Sequence, residues 1–267
     1  MPIKKVNINV PCALTIAGSD SGGGAGIQAD LKTFAAIGVH GTSAITCITA
    51  QNPLEVRGVS AISPETVGQQ IAAVMEELKP KAVKTGMLYS AGIIKAVEEA
   101  LPVGIPLIID PVMISTSGAL LLRDSAVSVL KTLLSRATLI TPNLHEAEYL
   151  LGRKLVEPDQ LRAAAREFHE RYGCAALIKG GHLPEMKVAL DFLYDGKTEW
   201  LLEAPYVRGV STHGTGCTYS AAIAAYCALG ESMSTAVLKA KEFISNAIAQ
   251  SYKTSGHFVL NTHWNRR

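Results

Sequence analysis

Five short segments of this chain set glycine or proline beside side chains that could do chemistry. The first is Gly18-Ser19-Asp20-Ser21-Gly22-Gly23-Gly24-Ala25-Gly26. Four glycines within five positions let backbone approach a ligand closely, next to an aspartate. The second is His213-Gly214-Thr215-Gly216-Cys217-Thr218-Tyr219-Ser220, ahead of a small-residue helix predicted over roughly 218–229. Unpaired N–H groups and the helix dipole make such a start an anion site. Cys217 there is either a thiol whose thiolate is favoured or a packed structural cysteine. The third is Lys179-Gly180-Gly181-His182, after an apolar run. A lysine at a buried strand end needs an anion, and phosphate is the natural partner; in an exposed loop it needs none. The fourth, Thr141-Pro142-Asn143-Leu144-His145-Glu146, reads as a capping box from Asn143 to Glu146. Its acid could also hold magnesium through water. The fifth, Asp110-Pro111-Val112-Met113, offers a second aspartate for metal or phosphate-bound water.

Other chemistries lack their residues. Gly24-Ala25-Gly26-Ile27-Gln28-Ala29 fits a loose dinucleotide fingerprint, but that site needs an acid about 20 positions on. None occurs from Leu31 to Leu54. Gly196-Lys197-Thr198 resembles the end of a phosphate-binding P-loop, yet Asp191 stands where its first glycine belongs, and the segment reads as a hairpin turn. His145-Glu146-Ala147-Glu148-Tyr149 lacks the second histidine of a zinc protease helix. No Gly-x-Ser-x-Gly elbow occurs.

The elements that must position these segments alternate. Strands are predicted at 13–17, 43–49, 82–85, 107–109, 138–141, 175–179 and 190–194, several of them continuous apolar runs. Between them Val67, Ile71, Val74, Met75 and Leu78 recur at helical spacing behind Ser63-Pro64, a cap with proline at the first helical position. Leu161, Ala164, Ala165, Phe168 and Tyr172 mark another helix, and Val127, Leu130 and Leu134 a third. Alternation implies an α/β, doubly wound, mostly parallel central sheet with helices on both faces. Such sheets bind ligands beyond the carboxyl ends of their strands, where the first, third, fourth and fifth segments fall.

Composition narrows the class. The 267 residues are 48% hydrophobic and 18% charged, which excludes disorder, collagen and coiled coil. Nothing marks a linker, so residues 1–267 are expected to form one domain. A net charge of +2, with only Arg266-Arg267 paired at the end, gives no reason to expect nucleic acid. No run of 18 apolar residues predicts a membrane span, and Met1–Asn7 carries no apolar leader. Five cysteines without a Cys-x-x-Cys pair predict free thiols and a cytoplasmic location.

Taken together the segments resemble a known family. Ala17-Gly18-Ser19-Asp20 with Gly23-Gly24-Ala25-Gly26-Ile27-Gln28-Ala29-Asp30-Leu31-Lys32 is similar to the opening signature of the hydroxymethylpyrimidine/phosphomethylpyrimidine kinases, thiamine-pathway enzymes of the ribokinase-like superfamily. Ala50-Gln51-Asn52, Lys84-Thr85-Gly86-Met87-Leu88, Asp110-Pro111-Val112-Met113, Thr141-Pro142-Asn143, Lys179-Gly180-Gly181-His182 and His213-Gly214-Thr215-Gly216-Cys217 continue the match in order, over roughly residues 12–250.

The resemblance implies a ribokinase-like fold. It implies ATP-dependent phosphorylation of 4-amino-5-hydroxymethyl-2-methylpyrimidine, then of its monophosphate, with Mg2+ and in a homodimer. Gln51 matches the pyrimidine-binding glutamine, and an amide offers both a donor and an acceptor to the ring edge. Gly18, Asp20, Ala25, Met87 and Val112 match positions that wall the pyrimidine pocket. Lys179 matches the lysine that meets ATP phosphates, with Asn143 and Thr215 on the nucleotide side and Asp110 and Glu146 near magnesium. Most relatives in the superfamily end the last loop in aspartate; the pyrimidine branch has cysteine, as at Cys217. That implies Cys217 as the base, with Gly214 and Gly216 opening N–H groups toward the transferred phosphoryl. Pyridoxal kinase is the neighbouring reading, since pyridoxal also carries a hydroxymethyl group on an aromatic nitrogen ring.

Overall fold

The computed structural model describes residues 9–113, 121–181, 183, 186–210 and 213–264. The stretch Met1–Asn7, His182 and the Arg266-Arg267 tail lie outside these residues. In chain order the elements are β1 (Cys12–Asp20), α1 (Gly26–Ile37), β2 (His40–Gln51), β3 (Val56–Ala61), α2 (Pro64–Glu77), β4 (Ala82–Thr85) and α3 (Ala91–Ala100). There follow β5 (Leu107–Ile109), α4 (Val127–Leu134), β6 (Leu139–Ile140), α5 (Leu144–Leu151), α6 (Pro158–Tyr172) and β7 (Ala175–Lys179). Then come β8 (Val188–Tyr194), β9 (Glu199–Pro205), α7 (Thr215–Ala228), α8 (Met233–Ala249) and the small hairpin β10 (Tyr252–Thr254) and β11 (His257–Val259).

The described residues form a nine-stranded sheet in the order β3-β2-β1-β4-β5-β6-β7-β8-β9. The run from β2 to β7 is parallel, while β3, β8 and β9 join antiparallel. Burial on both faces explains the apolar runs. Leu14, Ile16, Val83 and Ile109 point to a core under α2 to α6, and Ala13, Ala82, Ile108 and Leu177 point to another under α1, α7 and α8. This is the doubly wound, ribokinase-like arrangement that the sequence predicts.

Local signals act as read. Ser63 Oγ accepts from Thr66 N at 3.1 Å at the start of α2. Asn143 and Glu146 close a capping box on α5. Gly196 turns the β8–β9 hairpin at φ +95°, and Asp195 Oδ1 accepts from Lys197 N and Thr198 N, so Gly196-Lys197-Thr198 belongs to a turn. Boundaries differ where pairing decides them. β1 and β2 run longer than their apolar runs, and β6 keeps only two residues of the predicted 138–141. The edge strands β3 and β9 are half exposed and carry Arg57, Glu199 and Glu203, so neither reads as an apolar run. Among the described residues no helix is long and apolar enough to cross a membrane.

The topology puts the site at one place. β1 pairs with β2 on one side and β4 on the other, and a crevice opens beyond the carboxyl ends at such a switch point.

Candidate active site

A cavity of about 310 Å³ lies there, and all fourteen candidate residues line it. They come from loops up to two hundred residues apart, from Gly18 to Cys217, so only strand order brings them together.

The glycine-rich loop is wound around Asp20. Its Oδ1 accepts from Gly22 N at 2.8 Å, and its Oδ2 accepts from Gly24 N at 3.0 Å and Ala25 N at 2.8 Å. His213 Nε2 stands 3.4 Å from Asp20 Oδ2 and 3.4 Å from Gln51 Nε2. Burial pushes the Asp20 carboxyl up, but His213 and the N–H groups of Ala25 and Gly22 outweigh it and hold it below the usual range. Asp20 thus remains a carboxylate that shapes the loop. Gln51 Oε1 accepts from Thr49 Oγ1 at 3.2 Å, which orients the amide at the end of β2. Met87 packs with Cys47 and Leu121, and Val112 lies against that cluster.

The second loop fits into the first. Gly214, the N-cap of α7, has φ +78°, and a Cβ there would stand 1.8 Å from Gly24 O. α7 begins at Thr215, three residues before the predicted start, so the first-turn N–H groups of Thr215, Gly216 and Cys217 belong to the helix terminus. Gly214→Ala is therefore expected to lower Tm by at least about 2–4 °C, the equivalent of 1 kcal/mol in a chain of this size, and to slow turnover. An unchanged Tm and rate in a thermal melt and a steady-state assay would contradict this packing.

Among the residues expected to meet nucleotide, Lys179 Nζ donates to Asp110 Oδ1 at 2.7 Å, and Ser220 Oγ donates to Asp110 Oδ2 at 3.2 Å. Burial opposes the Lys179 charge, but Asp110 and Glu146 outweigh it and raise its pKa. The lysine thus meets the anion that its buried strand end requires, supplied by the protein itself. Glu146 Oε2 accepts from Asn143 N at 2.8 Å. Burial, then the Asp110 charge, pushes the Glu146 carboxyl up to about 8. Thr215 Oγ1 is buried with no hydrogen-bond partner among the described residues, an orphan that suits a ligand oxygen.

Cys217 corrects one expectation. Position at a helix start predicts a favoured thiolate, yet burial pushes the thiol up to about 11. Lys84 and the Gly26 N–H pull the other way without winning. Cys217 stays partly open to the cavity, but desolvation of its recessed sulfur outweighs the helix dipole.

Sequence reading missed other groups at the cavity. Lys84 and Asp30 form an ion pair with both side chains at 0% exposure, and Thr15 Oγ1 donates to Asp30 Oδ2 at 2.5 Å. Lys241 Nζ donates to Asp191 Oδ2 at 2.7 Å, and Asp191 Oδ1 accepts from Gly180 N at 3.1 Å, which anchors the Lys179–Gly181 loop. α8 adds a wall with Ile244, Ser245 and Ile248. The signal was present: Lys84 interrupts the apolar run 82–85, Asp30 falls between Ile27 and Phe34 on one helical stripe, and Lys241 sits beside Val237, Ala240 and Ile244.

A sequence profile of the phosphomethylpyrimidine kinase family matches residues 20–261. The chain belongs to that family. A hydroxymethylpyrimidine/phosphomethylpyrimidine kinase of Synechococcus elongatus is 47% identical over 257 residues, covering 93% of this chain and 98% of that protein. Among solved structures, phosphomethylpyrimidine kinase from Clostridium difficile is similar at TM-score 0.78 and 42% identity, over 89% of this chain and 99% of that one. An ADP complex of Bacillus subtilis pyridoxal kinase is similar at TM-score 0.86 and 38% identity, over 97% and 99%. This phosphomethylpyrimidine kinase family member is thus a phosphotransferase, with its cavity where the fold family opens its sheet.

Proposed function

We propose that residues 1–267 act as one kinase domain that phosphorylates 4-amino-5-hydroxymethyl-2-methylpyrimidine with ATP, and then phosphorylates the monophosphate to the diphosphate in thiamine biosynthesis. One observation carries the reading: Gln51 and the Asp20-centred loop face the same cavity as Lys179 and the Gly214–Cys217 helix start. An amide edge for a pyrimidine and an anion site for a phosphoryl group are therefore within one enclosure.

The chain's residues divide the work. Gln51 hydrogen-bonds the pyrimidine edge, with Met87, Val112, Gly18 and Ala25 as walls and Asp20 holding the loop. Cys217, in its thiolate form, takes the hydroxymethyl proton to become the thiol as the oxygen attacks the γ-phosphorus and ADP leaves. N–H groups at Gly216 and Cys217 stabilise charge on the moving phosphoryl. Lys179 exchanges Asp110 for a phosphate oxygen, with Asn143 and Thr215 beside it. Among the described residues no three His, Cys, Asp or Glu side chains cluster as a metal site. Two neighbouring carboxylates nevertheless suit magnesium, which keeps waters and shares phosphate oxygens. Asp110 and Glu146 would hold it, and it would neutralise charge on the phosphate oxygens.

Five free thiols support a cytoplasmic location. The assembly we propose is a homodimer, tested by sedimentation. The second reading is pyridoxal phosphorylation, favoured by the likeness to Bacillus subtilis pyridoxal kinase. Incubation with ATP, magnesium and either substrate, followed by separation of the products, decides between them. Mono- and diphosphate of the pyrimidine are expected. Absence of diphosphate removes the second step, and a strong preference for pyridoxal promotes the alternative.

A further inference from the structure

Lys84 and Asp30 are fully buried, one in the middle of β4 and the other on α1, with Lys84 Nζ 2.8 Å and 3.0 Å from the two carboxylate oxygens. A buried ion pair gives little stability over a well-packed apolar pair, so stability does not account for it. Its place suggests another reason. Lys84 and Cys217 both border the cavity, and α7 packs against β4 and α1. Gly86 leaves the ammonium uncrowded: a Cβ there would stand 2.9 Å from Lys84 Nζ and 3.1 Å from Ala17 Cβ.

We propose that Lys84, held by Asp30, is a positioning residue that supplies the positive charge against which the Cys217 sulfur releases and takes up its proton. This rests on the reading of Cys217 as the base. A thiolate only partly open to the cavity is incompletely hydrated, so a fixed cation nearby favours it. Burial is the largest influence on the sulfur, and Lys84 is the strongest charge acting against it. Asp30 and Asp110 act in the opposite direction, and the Gly26 N–H assists Lys84. In return the sulfur strengthens the Lys84 charge, after Asp30. Asp30, itself steadied by Thr15, keeps the ammonium charged and fixed.

The test is the double variant Asp30→Asn/Lys84→Met, which removes both charges and leaves no unpaired ion. Cys217 alkylation by iodoacetamide at pH 8.5, followed by peptide mass, reads the thiolate fraction. In the folded double variant we expect alkylation of Cys217 to slow about tenfold, the equivalent of one pKa unit. We also expect kcat for the pyrimidine to fall while its KM stays within about threefold. A rate of alkylation within twofold of the parent overturns the proposal. If the double variant does not fold, Asp30→Asn alone serves. It removes the group that keeps Lys84 charged and fixed, so Cys217 alkylation should slow, and an unchanged or faster rate overturns the proposal. Alkylation reports the sulfur whether or not it is the base. Parental turnover in Cys217→Ala would remove the base reading and leave this result standing.

Discussion

Cys217→Ala is expected to lower kcat for phosphorylation of the hydroxymethyl group by about 10²–10⁴, the usual contribution of a positioned base. The substitution removes the proton acceptor but none of the groups that hold the pyrimidine, so KM should change little. The second phosphorylation should suffer much less. Its acceptor is a phosphate monoester whose second pKa is about 6, so it arrives already ionised and needs no base. Cys217→Ala should therefore convert added monophosphate to diphosphate while failing on the alcohol. pH gives an independent check. Burial holds the Cys217 thiol near 11, so the fraction able to accept a proton grows about tenfold per pH unit below that value. Single-turnover rates for the alcohol should rise with pH from about 6 to 9 in the parent, where chemistry limits them, and lie flat in the variant. Equal losses on both substrates, or parental rates on the alcohol, would exclude Cys217 as the base.

Lys179→Met is expected to damage both catalysis and stability. Lys179 is 8% exposed and its Nζ is 2.7 Å from Asp110 Oδ1, with Glu146 also drawing on its charge. Without it two buried carboxylates face each other with no cation. Breaking a buried pair in this way costs roughly 3–5 kcal/mol. Loss of one charged donor to the transferring phosphoryl costs about 10²–10³ in kcat. The stability deficit should depend on pH with a definite sign. In the folded protein the Glu146 carboxyl is raised from 4.5 to about 8, so the uncharged form is favoured there. Its favourable contribution is complete below 4.5 and is lost as pH rises through about 8. Lys179 offsets that loss, so the Tm difference between parent and variant should widen from pH 6 to pH 9. A constant or shrinking difference would mean that Lys179 does not compensate Glu146.

Much of this protein was readable without coordinates. The buried strands declared themselves as apolar runs because a parallel sheet covered on both faces needs them at every position. Ser63, Asn143 and Gly196 acted as local signals because caps and turns are closed within four residues. Catalytic candidates were readable for a related reason: glycines, lysine and acids placed just after apolar runs must fall at the carboxyl edge of the sheet. The edge strands β3 and β9 were not readable, since half-exposed strands carry polar residues and borrow their order from a neighbour.

The amino-acid sequence by itself determined the α/β class, the segments that meet at the sheet edge and the family likeness, because each rests on local pattern. Tertiary structure alone decided what those segments meet. It paired Lys179 with Asp110, and it placed the Lys84–Asp30 pair near Cys217. It also made Cys217 a thiol held near 11, against the helix-start expectation. Charge and desolvation act through space over a few ångströms, and residues 15, 30, 84, 110 and 217 become neighbours only when the sheet and its helices close around them.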